Sequence, residues 1–332
     1  MTASFWQGRR VLVTGAGGFI GSHLIETLVK QGAQVRAFVR YNSRGDHGLL
    51  NLLPSQVIES VNIISGDLRD LCAVQNAVQG MSHILHLGAL IAIPYSYLHP
   101  VEVVETNVMG TLNVLLAART NGVERIVHTS TSEVYGTALR VPIDESHPLQ
   151  GQSPYSASKI GADKLAESFF CSYNLPVVTI RPFNTYGPRQ SSRAVIPTIM
   201  TQILSGGRLR LGNLETRRDF TFVSDTVDGF MKCAEESGIE GRTFNLGSGT
   251  EVSVKDLVDE IILISGKDVE LIIDQERLRP EKSEVLRLLS DNSRARQELG
   301  WEPKIKLKDG LTRTYQWISE HLELYQVGTY QR

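Results

Sequence analysis

Cysteine is scarce: Cys72, Cys171 and Cys233 are the only three in 332 residues, far apart and with no C-x-x-C pair. So sparse and odd a set argues against a disulfide scaffold and a zinc site, and it fits a reducing compartment. No excess of either charge exists, because 34 Lys and Arg against 36 Asp and Glu leave a net −2. That balance offers no footing for nucleic acid or an anionic membrane, although single basic residues can still hold phosphates. No bilayer-spanning segment is expected: the most apolar run, Ile84 to Ile93, is too short and contains His86 and Gly88. The chain runs almost at once into a strand and a glycine loop, so no leader is expected and the location expected is the cytoplasm. The eight histidines form no metal constellation, and no G-x-S-x-G surrounds Ser130 to make it a hydrolase nucleophile.

Apolar residues make up 41% of the chain, enough for a substantial core. Short Val- and Ile-rich runs at Arg10–Thr14, Gln34–Val39, Val61–Ser65, Ile84–Leu87, Arg125–His128 and Val177–Ile180 read as strands. Helical periodicity lies between them, clearest over Ile20–Lys30, Thr106–Ala118 and Ser156–Tyr173. Strands alternating with helices predict an α/β fold, a Rossmann-type doubly wound parallel sheet. Past Arg181 the segments shorten, and Pro182, Pro188 and Pro197 and several arginines gather. We therefore expect a dinucleotide-binding domain over residues 1–181 and a smaller C-terminal substrate-binding lobe over 182–332, with a soft boundary and chain excursions back to the sheet.

The first strand ends in Thr14-Gly15-Ala-Gly17-Gly18-Phe19-Ile20-Gly21, which opens a helix. Glycines allow a tight turn and close backbone approach, and the helix N-terminus then faces a pyrophosphate. In this strand–turn–helix setting the pattern predicts NAD or NADP. No acidic residue follows the second strand; Arg40, Asn42 and Ser43 stand there and suit a 2′-phosphate, which favours NADP. An Arg40 stacked on the adenine would leave NAD usable. Asp67 and Leu68 are positioned to meet the adenine, or Asp67 caps the next helix. Leu87, Gly88 and Ala89 would let the cofactor backbone approach, Thr129 directly follows the fifth strand as a further cofactor-binding candidate, and Asn107 is either a site residue or a buried helix-holding group.

Tyr155 and Lys159, four apart on a helix, share one face, so the ammonium can lower the phenol's pKa. A Tyr activated in this way can take a proton from a sugar hydroxyl. Glu133, beside Thr131 and Ser132, is not needed for that oxidation and suggests a second proton removal next to the new carbonyl.

The glycine loop, Thr131-Ser-Glu-Val-Tyr-Gly136, Tyr155-x-x-x-Lys159 and Arg181-Pro-Phe-Asn-Thr-Tyr-Gly-Pro188 resemble extended short-chain dehydrogenase/reductases acting on nucleotide sugars. The resemblance covers nearly the whole chain. Ile91-Ala-Ile-Pro-Tyr-Ser-Tyr97 and Gly151-Gln-Ser-Pro-Tyr-Ser-Ala-Ser-Lys159 are most similar to the NAD(P)-dependent 4,6-dehydratases of the legionaminic acid pathway, which act on nucleotide-linked N-acetylglucosamine. The resemblance implies C4 oxidation by Tyr155 with Lys159 and Thr131, C5 deprotonation by Glu133, loss of water and hydride return to C6. It also implies Pro182 against the nicotinamide, Val195 and Ile196 near the nucleotide base, and Asn184, Arg218 and Arg279 on the substrate. A homodimer through the helices around Thr106–Ala118 and Ser156–Tyr173 is implied as well.

One position departs from the pattern. Dehydratases acting on deoxythymidine-diphosphate glucose carry an Asp where Ser132 stands, and a hydroxyl is a poor acid. Nucleotide-diphosphate glucuronate decarboxylases share Thr-Ser-Glu, so decarboxylation and 4-epimerisation remain as alternatives. A non-catalytic NADP-binding sensor is the alternative of a different class, which the intact Thr131, Glu133, Tyr155 and Lys159 oppose.

Overall fold

The computed structural model describes residues 4–274 and 284–327. In chain order the strands are β1 (Arg10–Thr14), β2 (Gln34–Arg40), β3 (Asn62–Gly66), β4 (His83–His86), β5 (Arg125–Thr129), β6 (Val177–Pro182) and β7 (Asn184–Tyr186). They continue with β8 (Arg208–Leu211), β9 (Arg217–Phe222), β10 (Thr243–Leu246), β11 (Glu251–Ser253), β12 (Glu270–Ile273) and β13 (Arg287–Leu288). Seven of them form one parallel sheet in the order β10-β6-β5-β4-β1-β2-β3. This is the expected doubly wound α/β fold, with the order reversing between β1 and β4.

Strand β1 shows why its sequence is apolar throughout. Successive side chains point to opposite faces, so Val11 and Val13 enter one core cluster and Leu12 the other. Both faces are covered by helices, as a parallel sheet requires. The helix Phe19–Lys30 buries Leu24, Ile25 and Leu28 at helical spacing.

The helix expected over Thr106–Ala118 is longer. It runs from Pro100 to Asn121, with one π turn over Glu105–Met109. By length and composition alone it could cross a membrane, but half of its most apolar window is buried in the protein. It packs there on the helices Leu71–Val78 and Pro154–Tyr173.

Beyond β6 the chain builds two smaller units. Strand β9 pairs with β7, β11 and β13, while β8 pairs with β12. The helices Val195–Gly206, Val254–Ser265 and Leu307–Glu320 pack together beside them. Between these pieces the chain returns to the main sheet, where β10 covers the edge of β6. One core cluster runs from Val11 on the sheet to Phe230, Ile261 and Trp301.

Candidate active site

Where the strand order reverses, the ends of β1, β4, β5 and β6 open into a cavity of about 610 Å³. Such a reversal is where doubly wound sheets receive their ligands. The wall begins with Gly15, Gly17, Gly18, Phe19, Ile20 and Gly21. Gly15 has φ +67°, and a Cβ there would come within 2.8–2.9 Å of the Gly88 and Leu87 backbone. A Cβ on Gly17 would stand 2.5 Å from the His47 carbonyl oxygen. Bare backbone is thus required, and no side chain caps the helix that starts after Gly18. Its first N–H groups are left to face an anion.

Further round the wall lie Leu87, Ala89, Thr129, Thr131, Tyr155 and Pro182. Thr129 Oγ1 and Gln190 Oε1 are buried without a hydrogen-bond partner among the described residues, and both residues line this cavity. Orphaned polar atoms beside an uncapped helix N-terminus and a glycine cradle fit a dinucleotide. Gly88 is held by its N–H donating to Thr14 Oγ1 at 3.0 Å. That hydroxyl lies 2.7 Å from His86 Nδ1, whose ring reaches Thr111 Oγ1 through Nε2 at 3.0 Å.

At the far end stand Arg40 and Asn42, with Asp46, His47 and Gly48, which sequence reasoning did not single out. Arg40 pairs with Glu102 at 3.1 Å. Asn42 spends its amide on its own loop, accepting from the Arg44 and Asp46 N–H groups. Ser43 is exposed and not part of the wall. Asp67 and Leu68 are not in the wall either. Arg69 holds the Asp67 carboxylate at 2.7 Å and keeps it below the usual carboxylate range. The cap of the next helix is Asp70, which accepts from Cys72 and Ala73 N–H, so the capping role expected of Asp67 is corrected. Leu68 lies buried under Gly88 and Gly110. Asn107 is wholly buried and binds both Leu90 backbone groups and Ser158 Oγ, tying the loop after β4 to the helix of Tyr155.

That helix, Pro154–Tyr173, starts sharply. Ser153 and Ser156 form a capping box, with Pro154 in the first turn. Tyr155 and Lys159 follow on one face, both buried. Thr131 Oγ1 accepts from the Glu133 N–H at 3.2 Å, which leaves its own proton free to turn towards the Tyr155 hydroxyl, whose pKa Thr131 lowers. Ser132 is only 3% exposed, while Glu133 is partly exposed and near enough to act on Tyr155 electrostatically.

The expectation that Lys159 lowers the phenol needs correction. Burial pushes Tyr155 well up; Thr131 opposes this, while Glu133 and Asp163 add to it. Burial also brings Lys159 down to about 8, against the pull of Asp163. Desolvation outweighs the pairwise effect in both groups.

Asp163, one turn beyond Lys159, anchors a buried cluster that the sequence did not reveal. Its carboxylate accepts from Ser130 Oγ at 2.7 Å and Arg181 Nη2 at 3.0 Å, and lies 3.0 Å from His128 Nε2. Arg181 in turn donates to the Tyr135 hydroxyl, which donates to Asn245 on β10.

A second cavity of about 370 Å³ adjoins the first, with Thr185 and Gln190 in both walls. It brings together Asn184, Val195, Ile196 and Arg218, all anticipated, with Arg193, Asn213, Thr216 and Glu284. Arg218 lies 3.6 Å from Glu284. Asp219 and Asp225 are structural: the first accepts N–H groups of Ser248, Gly249 and Ser290, the second those of Lys304 and Ile305. Arg279 lies outside the described residues.

A family profile described as GDP-mannose 4,6 dehydratase matches residues 12–314. A UDP-glucose 4-epimerase of Mycolicibacterium smegmatis is 34% identical, covering 93% of this chain and 98% of that protein. A dTDP-glucose 4,6-dehydratase of Streptomyces griseus is also 34% identical, covering 94% of each. Among solved structures, the dTDP-glucose 4,6-dehydratase DesIV of Streptomyces venezuelae, with NAD and TYD bound, superposes with a TM-score of 0.86 at 32% identity, covering 96% of this chain and 99% of that one. The profile match over residues 12–314 and these relatives agree with the glycine cradle and with Thr131 and Tyr155 in one cavity wall: the chain is an enzyme of the GDP-mannose 4,6-dehydratase family, an extended short-chain dehydrogenase/reductase of the nucleotide-sugar 4,6-dehydratase kind.

Proposed function

We propose that the protein is a hydro-lyase converting UDP-N-acetylglucosamine, or another nucleotide-diphosphate N-acetylglucosamine, to its 4-keto-6-deoxy product. The observation that carries this reading is Thr131 and Tyr155 together in the wall of one cavity, with Glu133 two residues from Thr131, and a second cavity sharing Thr185 and Gln190 with the first. The second cavity holds Asn184 and Arg218, groups suited to a diphosphate; a guanidinium binds phosphate oxygens through its planar fork.

The bound dinucleotide supplies the hydride acceptor and donor, with no net redox change over a turnover. Tyr155, once ionised, takes the proton of the 4-hydroxyl; burial opposes that ionisation and Thr131 favours it. Glu133 removes the C5 proton, acidified by the C4 carbonyl. The C6 oxygen needs a proton to leave, and Ser132 is both buried and a poor acid. Glu133, the only carboxyl in the turn 131–135 and protonated by the preceding step, returns it. When hydride comes back to C6, C5 takes up one proton, equal to the one Tyr155 removed from the 4-hydroxyl, and both groups are reset.

Arg40 and Asn42 line the adenosine end and support NADP, although the Glu102 partner of Arg40 moderates that preference. NAD is the cofactor seen in the Streptomyces venezuelae relative. Exposed Val101, Val104, Met109 and Tyr173 on the helices Pro100–Asn121 and Pro154–Tyr173 support a second copy docking there as a homodimer. The three unpaired cysteines support a cytoplasmic location.

A 4-epimerase is the second reading, favoured by the Mycolicibacterium relative and by Ser132. Purified protein incubated with UDP-N-acetylglucosamine, dTDP-glucose and UDP-glucuronate separates the readings by product mass. Loss of water from the first supports the proposal. Loss of water from dTDP-glucose alone moves the substrate, loss of carbon dioxide from the third makes a decarboxylase, and isomer exchange without mass change makes an epimerase.

A further inference from the structure

Gln190 occupies the seam between the two cavities and belongs to both walls. Its side-chain N–H donates to the Thr185 carbonyl at 2.7 Å. Turning the amide over would set two carbonyl oxygens against each other, so the Thr185 contact dictates which amide atom faces away. The atom facing away is Oε1, which is buried and has no hydrogen-bond partner among the described residues. A buried acceptor left in this state carries the desolvation penalty of an unmade hydrogen bond, so a ligand donor at the seam would remove that penalty.

The loop carrying Gln190 is held from several sides. Pro188 offers its carbonyl oxygen to the His23 ring at 2.9 Å, and Arg189 reaches Ser22 Oγ at 3.3 Å and pairs with Glu26. The Tyr325 hydroxyl donates to the Gln190 carbonyl oxygen at 3.1 Å. Ser22, His23 and Glu26 all lie on the helix Phe19–Lys30, whose N-terminus faces the first cavity. The acceptor is therefore fixed relative to the dinucleotide cradle and does not ride on a free loop.

We propose that Gln190 is a ligand-positioning residue whose side-chain carbonyl accepts a hydrogen bond from an N–H or O–H on the group that crosses the seam. Resting on the functional reading above, that donor is the nicotinamide carboxamide or a hydroxyl of the sugar. An acceptor here selects for a donor and against a carbonyl or ether in the same place, because two acceptors repel.

Calorimetric binding to the full chain tests this without relying on turnover. Gln190→Met keeps length and removes the acceptor. One arm compares NAD with its 3-acetylpyridine analogue, which has no carboxamide N–H. The other compares UDP-N-acetylglucosamine and dTDP-glucose, each with its own nucleoside diphosphate, on protein loaded with cofactor. A carboxamide donor predicts that Gln190→Met loses about 5- to 20-fold in NAD affinity while the analogue's affinity is unchanged. A sugar donor predicts the same loss for the nucleotide sugar that the wild type binds and none for its nucleoside diphosphate. Unchanged affinity for every probe, or equal losses within each pair, overturns the proposal. Failure of the dehydratase reading shows separately, as product masses on the wild type.

Discussion

Replacing Asp163 by Asn removes one charge and almost no volume from the buried cluster behind Lys159. The carboxylate takes donors from Ser130 and Arg181 on one oxygen and faces His128 on the other. An asparagine can keep its oxygen towards Ser130 and Arg181. Its amide can face His128, because the His128 ring can change tautomer around a Nδ1 that has no partner among the described residues. What cannot be replaced is the neutralisation of Arg181, whose side chain is 7% exposed. Stranding one member of a buried pair costs about 3–5 kcal/mol, and urea unfolding of Asp163→Asn should show a loss of that size. Arg181→Met, stranding the carboxylate instead, should cost a similar amount, and the double variant clearly less than the sum. The effect should depend on pH with a definite sign. Burial alone would raise Asp163, but His128, Arg181 and Lys159 overcome it and hold the carboxyl below its ordinary 3.8. A carboxyl lowered in this way contributes stability that is full above the unfolded value and fades as pH falls through the folded one. The gap between wild type and Asp163→Asn should therefore be widest near neutrality and close below about pH 4. A neutral-pH loss under about 1 kcal/mol, or strict additivity in the double variant, would refute this account of the cluster.

Glu133→Gln should stop deuterium exchange at C5 while Tyr155→Phe stops C4 oxidation; full turnover by either variant removes its assigned role. Gly15→Ala meets both a left-handed backbone and the Gly88 peptide, so it should cost more than the roughly 1–2 kcal/mol of the backbone conformation alone. Melting temperature and NAD titration read this out, and an Ala variant equal to wild type in both contradicts the packing argument. Arg40→Ala should weaken NADP more than NAD, whereas a wild type binding NAD far more tightly than NADP ends the case for a 2′-phosphate.

The parts of the fold legible in the sequence share one property: the signal is local. Each of the six strands read up to Ile180 carries its own apolar run, and the glycine loop its own turn chemistry. The π turn at Glu105–Met109 and the extension of the Thr106–Ala118 helix back to Pro100 escaped notice; that turn carries Asn107, which reaches Leu90 in a tertiary contact with no local signal. Strand β10 escaped too, since Thr243–Leu246 is four residues long and its place is set only by pairing with β6. In the site, Thr131, Tyr155, Asn184 and Arg218 sit in recognisable motifs. Gln190, Asn213 and Glu284 do not, because distant segments bring them to the cavities. Asp163 was in plain view four residues after Lys159, but only the fold brings His128, Ser130 and Arg181 round it.

The return of β10 to the sheet also bears on dissection of the chain. Every residue of β6 is buried, and β10 covers the strand's outer edge. A fragment ending at residue 181 would carry a bare, apolar ribbon with unpaired amides and carbonyls, the kind of edge on which chains stack. Such a fragment should aggregate and fail to bind a dinucleotide, and a split version of the protein should work only if the second piece returns Thr243–Leu246 to that edge.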